Sequence, residues 1–165
     1  AAMRSLLVIL LISLCIPSSS ASQTAYEILE DYNFPIGLLP VGVTGYDFNS
    51  TSGNFEVYFN DTCSFKIESY TLKYKKTIKG NLATNKLSSL SGIQVKVFLF
   101  WLTISEVTRE DDELDFSVSI ASANFPVSGF GECPQCGCGF NCDSAELENI
   151  LVEDGDGNGA GVSSS

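Results

Sequence analysis

The sequence predicts a mainly β fold: a curled antiparallel sheet or β-barrel with a short N-terminal helix, then a Cys-rich and disordered C-terminal tail. Three observations carry this. Short runs alternate apolar and polar residues at period two, as strands do when one face meets a core and the other meets water. The runs follow one another at regular spacing without intervening helices, which indicates an antiparallel sandwich or barrel. The longest strongly β-forming run outside the N-terminus, Ile93 to Ile104, alternates through Val97 and then turns apolar on both faces. A strand of that kind is expected to be covered on both faces, by protein or by ligand.

In chain order, Met3-Arg4-Ser5 precedes an apolar core from Leu6 to Ile16, followed by Pro17, a serine run and Ala21. This is the pattern of a cleaved secretory signal peptide over residues 1–21. The apolar core would reach about 16 Å as a helix, roughly half a hydrocarbon layer, and no later apolar run is long enough to span one. The expected location is the secretory route and the extracellular space or apoplast. Two sequons, Asn49-Ser50-Thr51 and Asn60-Asp61-Thr62, fall where loops are expected and make Asn49 and Asn60 glycosylation candidates.

The expected β-barrel domain occupies residues 22–130. Tyr26 to Tyr32 sets Tyr26, Leu29 and Tyr32 (or Ile28) on one helical face, and Pro35 ends that helix. Asn33 to Pro40 is a connector punctuated by Pro and Gly. Val43 to Phe48 and Asn54 to Phe59 flank a Gly-containing turn and read as a hairpin. Cys63, Phe65 and Ile67 continue the alternation, as do Tyr70, Leu72 and Tyr74. Thr77 to Leu82 and Lys86 to Leu90 are weaker strand candidates. After Ile104, Asp111-Asp112-Glu113 marks a turn, and Leu114, Phe116, Val118 and Ile120 alternate with polar residues.

The net charge is −11, with seven of the nine basic residues between Lys66 and Lys96. So acidic a chain repels nucleic acid, and that partner is excluded. The lysine-rich middle suits an anionic ligand or wall polymer, or serves as the solvated face of strands. The chain has no histidine. This removes His-activated serine and cysteine nucleophiles and ordinary zinc hydrolase sites. No carboxylate pair stands in an apolar setting that would raise a pKa, and no catalytic residue or cofactor is expected.

Residues 131–145 form a Cys-rich segment with Cys133, Cys136, Cys138 and Cys142 inside ten residues. Disulfides are the default in an oxidising compartment, ahead of a metal or a redox pair. With Cys63 these make five disulfide candidates once Cys15 leaves with the signal. One bridge can pin the segment to the strand that holds Cys63, one thiol is left over, and spacing does not choose among the pairings. Residues 146–165 read as an acidic, Gly/Ser-rich, disordered tail that opens on a helical turn from Glu146 to Val152. Within it Asp154-Gly155-Asp156-Gly157-Asn158-Gly159 matches the first half of a calcium loop, but the twelfth position is Ser165 where a bidentate Glu belongs, so no metal is expected.

Several stretches form an ordered series: Tyr26 to Tyr32, Phe34 to Pro40, Phe55 to Phe59, Leu90 to Lys96, Trp101-Leu102 and Phe125 to Ser128. Over about residues 26–130 this series resembles the plant family catalogued as domain of unknown function 538. The resemblance implies a fold similar to half of the bactericidal/permeability-increasing architecture, with an apolar interior, and a connection with lipid or chlorophyll binding and stress responses. It implies no catalytic motif. A secreted, non-catalytic binder of an apolar or amphipathic small molecule is therefore expected, with Phe55, Val57, Tyr70, Leu72, Val97, Leu99, Trp101 and Phe116 as candidate lining. The alternatives are an extracellular stress or defence protein with a solid core, partnered by protein or wall polymer, and a hydrolase of unknown type.

Overall fold

A computed structural model describes residues 21–140 and Cys142. The signal segment, the turn at Glu146–Val152, the acidic tail and its half calcium loop lie outside the described residues. The described residues form nine strands in one antiparallel sheet: β1 (Val43–Phe48), β2 (Asn54–Phe59), β3 (Cys63–Ile67), β4 (Tyr70–Ala83), β5 (Lys86–Val97), β6 (Phe100–Thr103), β7 (Glu106–Glu110), β8 (Glu113–Ser117) and β9 (Ser122–Pro126). The two long central strands, β4 and β5, each carry two short neighbours end to end. β4 pairs with β3 and β2, β5 with β6 and β7, and the order β1-β2-β4-β5-β7-β8-β9 leaves the sheet curled but not closed.

The curl has a local cause. The β4–β5 register slips between Tyr74 and Lys79 and again before Asn81. Opposite the slip, Gly92 sits at φ +96°, where a Cβ would collide with the carbonyl oxygen of Thr77. An irregularity of this kind bends a strand and increases its twist. Thr77 to Leu82 and Lys86 to Leu90, weak as separate strands, are the far halves of β4 and β5.

Among the described residues one α-helix, α1 (Ala25–Asp31), lies on the concave face with Ala25, Ile28 and Leu29 buried. A reciprocal cap starts it: Thr24 Oγ1 accepts from the Glu27 N–H, and the Glu27 carboxylate accepts from the Thr24 N–H. The connector then buries Phe34, Leu38 and Leu39, and the Tyr74 hydroxyl donates to the Leu38 carbonyl at 2.8 Å. Arg109 ties this layer to β7, its Nη1 donating to the Asn33 carbonyl at 3.0 Å.

Three readings of the sequence are corrected. Ile93 to Ile104 is not one strand but the end of β5, a two-residue turn at Phe98-Leu99, and β6. Of the residues apolar on both faces, Phe98 to Trp101 are uncovered, because they form a hairpin tip: Phe98 is 92% and Leu99 85% exposed, whereas Ile104 is buried. The strand expected through Ile120 stops at Ser117, and a turn leads back into β9.

The Cys-rich segment is built onto the sheet. Cys63 and Cys136 are bridged, as are Cys138 and Cys142, while Cys133 is free. Gly137 donates its N–H to the Ser64 carbonyl at 2.7 Å, and Phe140 packs edge-on against Phe65 and Phe130. Phe130, near which a boundary is expected, is 4% exposed and belongs to the core.

Candidate functional site: an apolar hollow

Antiparallel pairing puts directly opposed residues on the same face of a sheet. Ile67 opposes Tyr70, and Leu72 opposes both Phe65 and Val95, so these side chains share the concave face of β3, β4 and β5. β8 and β9 curl round to face them, bringing Phe116 and Phe125. Between the two walls lies a half-open hollow of about 130 Å³. Its lining is aliphatic and aromatic, with Ser122 the main polar exception.

The aromatic walls are held by edge-on contacts. Tyr70 meets Phe125 at 5.9 Å and 81°, and Phe125 meets Phe116 at 5.6 Å and 83°. Phe130 closes the floor, 5.7 Å from the Phe116 ring. Edge-to-face pairs favour a fixed geometry, so the hollow is framed by side chains that hold each other in place. Under α1 the same concave face is nearly filled, and only about 50 Å³ remains there.

Of the candidate lining residues, Tyr70, Leu72, Val97 and Phe116 come together in the larger hollow. Phe55 and Val57 face the smaller space beneath α1. Leu99 and Trp101 line neither; they belong to the β5–β6 tip. Phe125, Phe130 and Ala123 line the larger hollow and escaped the sequence reading, because β9 has a weak alternation and Phe130 follows it on a 3-10 turn. A polyaromatic spacing of Phe116, Phe125 and Phe130 was the available signal.

Elsewhere, Asp47, Glu56, Tyr58 and Lys79 line an open polar groove and bond one another. On the convex face the Tyr58 hydroxyl lies 2.7 Å from Asp47 and 3.0 Å from Glu56, and Lys79 bonds Glu56 at 2.8 Å. Hydrogen bonding to the two carboxylates holds the Tyr58 phenol well above its ordinary pKa, and the bonds from Lys79 and Tyr58 lower that of Glu56. Burial raises the pKa of the Cys133 thiol, with the Glu30 charge adding to it. Among the described residues no cluster of His, Cys, Asp or Glu could hold a metal ion. No helix among them is long and apolar enough to cross a membrane. Both sequon asparagines, Asn49 and Asn60, are exposed at turns.

Residues 25–131 match a family model described as "Protein of unknown function, DUF538". Among curated proteins, the chain is similar to "Uncharacterized protein At5g01610" of Arabidopsis thaliana, 27% identical over 95 residues. That match takes in 57% of this chain and 55% of the relative, so the chain spans about half the length of the relative it matches.

Proposed function

The chain belongs to the DUF538 family, and we propose that it serves as a non-catalytic binding protein whose hollow takes the apolar part of an amphipathic small molecule. One observation carries the reading: the concave face is nearly filled beneath α1 but left more open between Val95, Val97, Phe116 and Phe125. The size narrows the ligand. A cavity of about 150 Å³ lined by Leu, Ile and Phe takes benzene, whereas sites for drug-sized ligands run to about 300 Å³ or more. At about 130 Å³ this hollow suits an acyl-chain end or a single ring. It is too small to enclose a chlorophyll-like macrocycle.

The proposal places the protein in the secretory route. Two disulfides suit an oxidising compartment, and the exposure of Asn49 and Asn60 suits glycosylation there. The absence of histidine from the chain favours binding over hydrolysis.

The test is native mass spectrometry with organic extraction on protein secreted from a eukaryotic host. A reproducible adduct of lipid mass is expected in the wild type, and its loss in Ala123→Phe, where the new ring fills the hollow. A clean apo mass in wild-type protein supplied with lipid during secretion would overturn the proposal. So would an adduct that Ala123→Phe leaves unchanged.

A further inference from the structure

The β5–β6 hairpin ends in Phe98, Leu99, Phe100 and Trp101, exposed by 92%, 85%, 71% and 41%. A soluble protein rarely leaves four consecutive large apolar residues uncovered, and on an edge hairpin they invite aggregation. The turn is also held at a cost. Phe98 sits at φ +55°, a left-handed conformation that Gly or Asn adopts with ease and a bulky aromatic does not. The position therefore carries an apolar ring where a turn would favour Gly.

The charge around the tip is equally uneven. Strand register places Lys66, Thr71, Lys96 and Trp101 in one row across the convex face, with Lys73 in the next row, beside Ser64 and Gln94. The Lys73 ammonium lies 5.6 Å from the centre of the Trp101 ring. Among the described residues Lys76, Lys79 and Lys86 have carboxylate partners within 4 Å, whereas Lys66, Lys73, Lys75 and Lys96 have none. Glu68, in the β3–β4 turn, is the acidic residue nearest these rows in strand register. The acidic turn at Asp111-Asp112 lies at the opposite end of the sheet, past the start of β5. Among the described residues, then, an acidic molecule presents one basic end, and that end carries the apolar tip.

We propose that the Phe98–Trp101 tip docks on an anionic phospholipid bilayer, with Phe98, Leu99 and Phe100 entering the interface and Lys66, Lys73 and Lys96 facing the headgroups. Charge complementarity selects this occupant. Apolar insertion and lysine attraction are the two contributions that hold a peripheral protein on an anionic surface. Trp101 sits at the junction, where an amphipathic ring is favoured at a membrane–water boundary. The Asn49 sequon lies on the β1–β2 turn, beside the far end of β4, so a glycan there would stay clear of the surface. Val97, the last residue of β5, lines the hollow, so docking would set the hollow beside the bilayer. The docking proposal stands without any ligand in the hollow.

Trp101 is the sole tryptophan, so its emission reports the tip alone. The full chain is titrated with vesicles of phosphatidylcholine carrying a third phosphatidylserine, and with phosphatidylcholine alone, by fluorescence and co-sedimentation. Blue-shifted Trp101 emission and sedimentation with the anionic vesicles are expected, weakening as salt rises. Phe98→Ser with Leu99→Ser should lower affinity about tenfold or more by removing two inserting side chains. Lys66→Glu and Lys96→Glu should each lower it by at least about fivefold. These positions are exposed, and the adduct test for the hollow should read the same in every tip variant. Failure of wild-type protein to bind anionic vesicles, or binding that survives the tip substitutions, would overturn the proposal. Self-association that consumes the tip in place of vesicle binding, lost in Phe98→Ser with Leu99→Ser, would overturn it in favour of a second copy.

Discussion

Gly37 and Phe130 touch so closely that no side chain fits between them: a Cβ at residue 37 would collide with the Phe130 carbonyl oxygen and lie 2.5 Å from that of Glu132. Two backbone segments far apart in sequence, the connector after α1 and the 3-10 turn that carries Phe130, meet at this point. The contact seats Phe130 against Phe116 as the floor of the hollow.

Gly37→Ala should therefore destabilise the fold by about 2 kcal/mol, the usual scale for forcing an extra carbon into a packed site. The check is the midpoint of urea unfolding, with ligand adduct measured alongside. Because the atoms in the way are backbone, the two segments must part, and adduct should fall more than the stability change alone explains.

The two disulfides should contribute unequally. Cys63–Cys136 spans 73 residues and Cys138–Cys142 spans 4. Loop-closure entropy gives about 4 kcal/mol for the first and about 2 kcal/mol for the second. Cys136→Ser and Cys138→Ser, compared by denaturant unfolding, should differ in that order, and equal losses would contradict it.

Alkaline pH should unfold the protein through its phenols. Tyr74 is buried with its hydroxyl on the Leu38 carbonyl, and burial raises its pKa above the ordinary 10.0; Tyr26 is raised for the same first reason. The folded chain thus holds protons that the unfolded chain releases. Stability is fully present below the unfolded pKa and falls as pH rises past it, at up to about 1.4 kcal/mol per pH unit for each such phenol. Thermal melts from neutral pH upward check this, and Tyr74→Phe should flatten the alkaline slope.

Cys133 should be a slow nucleophile despite being free. Its raised pKa leaves little thiolate at neutral pH, and the thiolate is the reactive form. Iodoacetamide should label native protein much more slowly than protein unfolded without reductant. Equal rates would mean that the thiol is not protected.

Much of the sheet was legible because its signal is local. The β1–β2 hairpin matches its alternation and turn residues, and the helix expected at Tyr26–Tyr32 spans Ala25–Asp31. Thr24 and Glu27, at the capping-box spacing, mark the start of that helix in the sequence as well. The β5–β6 turn was not legible, since Phe98 and Leu99 are residues that favour strands and carry no turn signature. The hollow was only half legible. Alternation marks Tyr70, Leu72, Val97 and Phe116 as facing inward, but a cavity depends on how far β8 and β9 curl and on what fills the floor. Those depend on the β4–β5 slip at Gly92 and on Phe130, which long-range packing positions.

The bridge between Cys63 and Cys136 makes a covalent ring of every residue between them, from most of β3 through β9. A protease that cuts once inside the ring, for instance at the exposed Asp111-Asp112 turn, separates no fragment; the nicked molecule stays whole until it is reduced. Outside the ring lie α1, β1 and β2, and a cut at the Asn49–Gly53 turn releases its N-terminal piece on unfolding without any reductant. A single clip thus has opposite consequences on either side of Cys63, and a pair of gels, with and without reductant, would tell them apart.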